Sequence, residues 1–208
     1  MHPIRIAGGT ARRKFMKNSK IVRMAGVALL MAMVVVMQAL SGIIPPVGGF
    51  SISLVLIPIV LGSAAFGPGA GALLGATFGV VVFINCVTGA DPGGQMVFQA
   101  NALLCFVVVM GKGTLAGLAS GLVYKALQGK TPYLAMLCAA IVCPLVNTGT
   151  FIVCMLCFFA DVLAAWAAGG DLIAYILSGL VLMNFVPELI INVVFSPAGQ
   201  RILHTVKK

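Results

Sequence analysis

The chain has 208 residues, of which 61% are hydrophobic and 8% charged, whereas a soluble domain carries about 25% charged residues. With a mean hydropathy of +1.15, this composition excludes a water-soluble globular protein and indicates an integral membrane protein. At about 20 apolar residues per span, the chain holds at most roughly eight helices, and one compact domain is expected.

The net charge of +9 does not point to nucleic acid. Seven of the thirteen cations lie at or before Arg23 and three at or after Arg201, and basic tails beside a span set orientation or touch anionic lipid. Six cysteines, Cys86, Cys105, Cys138, Cys143, Cys154 and Cys157, fall in or beside apolar runs, as free packing residues do. Cys154 and Cys157 form a CxxC, but no second pair or nearby His accompanies it, so packing is expected rather than redox or zinc chemistry.

Residues 1–20, with Arg5, Arg12, Arg13, Lys14, Lys17 and Lys20, read as a basic cytoplasmic arm, disordered or lying on the surface. The first span is expected over 21–41. Its apolar stretch of about 17 residues exceeds the roughly 7 to 15 of a signal sequence, so retention is expected despite the small residues at Ala39 and Ser41. After a turn at Ile44-Pro45-Pro46-Val47-Gly48-Gly49, a short second span over 52–66 is interrupted by Pro58. The third, over 69–87, continues a four-residue glycine spacing at Gly67, Gly71, Gly75 and Gly79, a face that lets backbones approach closely.

Residues 88–99 read as a polar, Gly- and Pro-rich loop. The fourth span, 101–127, carries a second glycine stripe at Gly113, Gly117 and Gly121; the fifth, 133–159, contains Pro144 and Asn147. Both are long enough to tilt or break. A loop from Asp161 to Asp171 precedes the sixth span, 172–195, and a basic cytoplasmic tail over 196–208. The predicted fold is therefore an all-α six-helix membrane bundle over 21–195 with both termini cytoplasmic. On this topology Lys125 and Lys130 lie inside, while Asp91, Asp161 and Asp171 lie outside, as the positive-inside rule requires. Neither half of the sequence repeats the other, which argues against an inverted-repeat transporter.

Ionisable groups within spans are functional candidates because hydrocarbon penalises them. Lys112 lies 13 residues before Lys125, roughly 20 Å deeper at about 1.5 Å per residue. It either pairs with a substrate carboxylate in an outward-facing cavity or snorkels to water from a helix break marked by Gly111 and Gly113; a lysine facing an outward cavity satisfies both. Glu188, following Pro187, is a proton or ion relay, a bond across helices or a partner contact. Asn85, Gln95, Gln99 and Asn101 cluster near the outer surface, and Asn147, Asn184 and Asn192 add further amides. Each either bonds between helices or touches a ligand, and the outer cluster as a group favours a ligand site.

Catalytic and metal-ligating constellations are missing from the sequence: it has no HExxH, GxSxG or paired carboxylates, and both histidines are terminal. Gly129-Lys130-Thr131 resembles the end of a Walker A loop, but Tyr124 stands where that motif needs Gly. No enzyme activity, ATP hydrolysis, cofactor or metal is expected. On the first span Ala25, Ala28 and Ala32 recur at helical spacing beside Met24 and Met31, either as bundle packing or as a docking face for a membrane partner.

The stretch from Phe50 to Phe83, FSISLVLIPIVLGSAAFGPGAGALLGATFGVVVF, continues through Asp91-Pro92, Asn101, GLASGLVYK from Gly117 to Lys125, and Asn147-Thr148-Gly149. In this combination the sequence resembles the substrate-binding S component of energy-coupling factor (ECF) vitamin importers. The resemblance covers about residues 21–195. It implies a six-helix bundle holding one vitamin near the outer face, under the first and third external loops, in a multi-pass protein of a prokaryotic cell membrane. It also implies partnership with a transmembrane coupling subunit and two ATP-binding subunits, and toppling in the membrane to release the load. Ala28 and Ala32 match the small alanines that meet the coupling subunit.

Pantothenate-type members are the most similar, which implies that ligand. Its carboxylate suits Lys112, and its amide and hydroxyls suit Asn147 and the outer amides. The family pattern often places Pro-Arg before the fourth-span glycines, whereas this chain has Lys112-Gly113, which turns the cation about 100° around the helix. The alternatives are another vitamin such as riboflavin, an autonomous proton-coupled transporter using Glu188, or a membrane scaffold.

Overall fold

In a computed structural model, residues 19–41, 54–129 and 131–206 are described, and among them every regular element is a helix. The basic arm up to residue 18, the turn from Ile44 to Gly49, Lys130, Lys207 and Lys208 lie outside the described residues. Five stretches are long and apolar enough to cross a membrane: Lys20–Ser41, Pro68–Thr88, Ala102–Leu127, Pro132–Phe158 and Leu172–Thr205. They belong to α1 (Ser19–Ser41), α3 (Pro68–Thr88), α5 (Ala102–Leu127), α6 (Pro132–Phe158) and a continuous last helix. The shorter apolar α2 (Leu56–Phe66) occupies the place of the expected second span. Pro58, expected to interrupt it, sits in the first turn, where an N–H has no partner within the helix to lose.

Two connections are more ordered than the sequence suggested. The stretch expected as a loop over 88–99 contains α4 (Pro92–Ala100), whose N-cap Asp91 accepts from the Gly94 N–H at 3.2 Å. Asp at the N-cap with Pro at the first helical position is a helix start, so the polar residues that resembled a loop are a capping sequence. Asn101 then caps α5, accepting from the Leu104 N–H at 3.0 Å. The connection expected between Asp161 and Asp171 likewise contains α7 (Ala160–Trp166), and it ends in left-handed backbone at Ala168 (φ 50°) and Gly169 (φ 80°).

The last helix begins as α8 (Leu172–Tyr175), widens to a π-helix over Ile176–Phe185 and continues as α9 (Val186–Val206). Pro187 has no N–H to give, and its ring crowds the carbonyl of Met183. The Val186 N–H reaches back to the Val181 carbonyl, five residues earlier. The end expected at 195 is passed without a break: Pro197 is tolerated inside α9, and Gln200 on that extension accepts from the Tyr124 hydroxyl at 3.3 Å.

Helices α3 and α5 run antiparallel with their glycine stripes in register. A Cβ added to Gly71 would fall on the Gly117 carbonyl, and one added to Gly75 on the Gly113 carbonyl. Farther along, a Cβ on Gly79 would stand 2.8 Å from the Val109 carbonyl, and one on Gly121 2.6 Å from the Pro68 Cα. No other residue type permits this approach, which dispersion and weak Cα–H···O contacts then stabilise. Gly67 is different: with φ 93° it forms the left-handed corner between α2 and α3 and would meet nothing within 4 Å. A polar staple reinforces the bundle, since Ser120 Oγ donates to the Ala139 carbonyl of α6 at 3.1 Å and lies 3.3 Å from Ser63 Oγ of α2.

Gly75→Ala should therefore cost about 3 kcal/mol through overpacking against backbone. Gly111→Ala meets open space and should gain about 0.5–1 kcal/mol from helix propensity. Thermal unfolding of the purified variants in detergent checks the contrast, and equal melting temperatures would contradict the seam.

Candidate functional site

A cavity of about 100 Å³ lies between α3, α5 and α6, with α1, α4, α7 and the last helix also contributing to its lining. A single water needs about 10–15 Å³ on this measure, so the space suits several waters or a small organic molecule. On α5 the lining residues are Cys105, Val108, Val109 and Lys112. Because α5 starts beside α4, Lys112 lies about 10 Å further along the axis than Cys105, away from α4. On α6, which runs toward α7, Phe151 precedes the α7 end, and Asn147 and Thr148 lie a turn deeper. The cavity thus has a rim at α4 and α7 and a floor at Asn147, Thr148 and Glu188.

The rim is aromatic and close-packed. Trp166 of α7 stacks on Phe151 with centroids 6.4 Å apart, and its Nε1–H donates to Met96 Sδ of α4 at 3.3 Å. A Cβ on Gly93 would stand 3.4 Å from the same indole, so the first turn of α4 sits directly against α7.

Lys112 is half-buried with its Nζ 4.6 Å from the Phe151 centroid and 5.8 Å from that of Phe78. Two aromatic faces thus attract the ammonium while leaving its hydrogen-bonding positions for other acceptors. No helix break surrounds it: α5 is continuous through Gly111 and Gly113, because Gly113 is used against Gly75 rather than to open the helix. Lys112 therefore faces the cavity from an intact helix, and of the two alternatives the helix break at Gly111 and Gly113 does not occur.

The structure brings four of the sequence-predicted ligand residues together, since Lys112, Asn147, Asn184 and Asn85 all line the cavity. Three others stand elsewhere. Asn101 is exposed and its side chain caps α5; Gln99 is exposed; Gln95 folds its amide over Gly89, 2.9 Å from where a Cβ there would be. Sequence reasoning did not single out Gln38, Phe78, Thr148, Phe151 or Trp166, all of which reach the cavity, and it left Glu188 as a relay, a helix bond or a partner contact. A helical signal was available, because Asn147 with Phe151 and Asn184 with Glu188 are four apart and share a face. Asn192 lies on the same helix but donates to the Glu188 carbonyl at 2.8 Å.

The family model for the ECF transporter, substrate-specific component, matches residues 22–198. The chain belongs to this family. No curated protein matches it by sequence. ECF substrate-specific components are the substrate-binding subunits of vitamin transporters and not enzymes, and the apolar helices make this one a multi-pass membrane protein.

Trp166 is the chain's sole tryptophan and part of the cavity wall, so the indole emission of this ECF component reports on the site. Its intensity should change saturably as a vitamin ligand is titrated in. An unchanged spectrum with ligand demonstrably bound would place binding elsewhere.

Proposed function

We propose that the protein is the pantothenate-capturing S component of an ECF-type importer, taking its ligand at the outer membrane face. The observation that carries this reading is Lys112, a cation held between two aromatic rings in the wall of a cavity that also carries four amides and the acids Asp91 and Glu188. Pantothenate offers one carboxylate for that ammonium, and an amide and two hydroxyls for Asn147, Asn184 and Asn85. Charge-assisted bonds of this kind are short and strong. Gln95, Gln99 and Asn101 then serve the rim helix and its caps.

The charge distribution supports capture from outside. Asp91, Asp161 and Asp171 lie at the α4–α7 end, whereas Lys20, Arg23, Lys125 and Arg201 lie at the opposite helix ends. The positive-inside rule turns the second group to the cytoplasm. Delivery then depends on partners, a transmembrane coupling subunit and two ATP-binding subunits. The docking face is Ala25, Ala28 and Ala32, all exposed on α1, while Gly26 on the same helix packs against Phe66 of α2. Small side chains on one helical face let a partner helix approach closely.

Replacing Lys112 with Ala should raise the Kd for pantothenate about 10- to 100-fold, the loss expected for a charged hydrogen bond. Binding of neutral pantothenol should change little. Titration calorimetry on the purified variant distinguishes this from a structural role, in which both ligands lose affinity equally.

Replacing Ala28 and Ala32 together with Leu should leave binding intact yet abolish ATP-dependent uptake into proteoliposomes containing the coupling subunit and both ATPases. Complex assembly that survives the double change would move the docking face elsewhere. Uptake driven by a proton gradient with this chain alone would overturn the ECF mechanism.

A further inference from the structure

The floor of the cavity contains two polar groups, Thr148 and Glu188, that the reading of Lys112 and the amides does not use. Thr148 is 4% exposed and its Oγ1 has no hydrogen-bond partner among the described residues. Thr77, Thr88 and Thr205 each return their hydroxyl to the carbonyl four residues back, at 3.0, 2.9 and 3.1 Å. Next to Thr148, Asn147 is also 4% exposed, and its Oδ1 likewise has no partner among the described residues. Both line the cavity, and so does the carboxyl-bearing Glu188, which is 2% exposed.

Buried polar atoms are almost always satisfied, and an orphan costs stability until something bonds to it. Two adjacent orphans beside an acid, all in one cavity wall, mark a place where a ligand supplies the missing partners. The chemistry of the three groups states what that ligand brings. An amide oxygen accepts, a hydroxyl accepts and donates, and a carboxylate accepts. Together these acceptors match hydroxyl or amide N–H groups, which a second carboxylate on the ligand does not offer.

We propose that Asn147, Thr148 and Glu188 form a second subsite, separate from the anion subsite at Lys112, that reads hydrogen-bond donors on the uncharged end of the ligand. Thr148 and Glu188 are then specificity-determining residues. The site takes a molecule that is anionic at one end and rich in hydroxyl or amide donors at the other, and it rejects a diacid or a purely apolar acid. This inference rests on the pantothenate reading for the identity of the ligand, in which the two hydroxyls face the floor.

The test uses the full-length purified protein and calorimetric titration with two probes. One is pantothenate; the other is N-(3,3-dimethylbutanoyl)-β-alanine, which keeps the carboxylate and amide but lacks both hydroxyls. Glu188→Gln and Thr148→Val should each raise the Kd for pantothenate about tenfold, and neither should weaken the dideoxy analogue. Thr148→Val should also melt higher than wild type without ligand, because it removes an orphaned hydroxyl. If Glu188→Gln fails to fold, Thr148→Val decides alone.

Unchanged pantothenate affinity in the folded variants, or equal losses for both probes, overturns the subsite while leaving the pantothenate reading in place. If wild type binds riboflavin, thiamine or biotin instead of pantothenate, the pantothenate reading falls. The subsite then stands if the same variants raise the Kd for that vitamin about tenfold, and falls if they do not. Wild type that binds none of the four overturns both.

Discussion

The contact on which the rest of the structure depends is the glycine seam between α3 and α5. Ordinary helices pack with axes about 8–10 Å apart because side chains stand between them. Here Gly71, Gly75 and Gly79 meet Gly117, Gly113 and the Val109 carbonyl directly. The cavity is built on the side chains beside that seam. Val109 gives its carbonyl to Gly79 and its side chain to the cavity wall, and Lys112 is the immediate neighbour of Gly113. Separating the two helices by one methyl group would shift both walls of the cavity together, so helix packing and the shape of the candidate site are one property here rather than two.

In an apolar bundle of this kind a polar cavity is costly to build and has to be repaid by what enters it. Lys112, Glu188 and the amides of Asn147 and Asn184 are held by helices, not by loops. Their geometry is therefore fixed before ligand arrives, which limits the ordering cost of binding. The rim is of a different character. It consists of two short helices, α4 and α7, joined by a Trp–Met hydrogen bond and an aromatic stack, and it lies at the end of the bundle away from the exposed α1 alanines. On the proposed reading, ligand entry and partner docking use different surfaces of the same small domain.

Much of this was visible in the sequence because membrane helices announce themselves by length and apolarity. The long spans, the facing glycine stripes and the membership of an ECF family follow from residues that have one physical use each. The connections were harder, because Asp91-Pro92 and its glycines are read equally well as a turn and as a helix cap. The same ambiguity put Gln95, Gln99 and Asn101 with the ligand groups, whereas Asn101 spends its oxygen on the α5 N-terminus. Depth along a span could be counted from Lys125 to Lys112, but rotation about the helix could not. Whether Thr148 or Glu188 faces the cavity depends on how α6 and the π-helical last segment turn against α5, and no local pattern encodes that.

The central claim is that this cavity is filled by one pantothenate. Native mass spectrometry of the protein, released gently from detergent after purification with pantothenate present, measures that occupancy directly. The account predicts a single added mass equal to one pantothenate, lost when Lys112 is replaced by Ala. A different retained vitamin, or a bare protein mass under conditions where known ligand complexes survive, would contradict it.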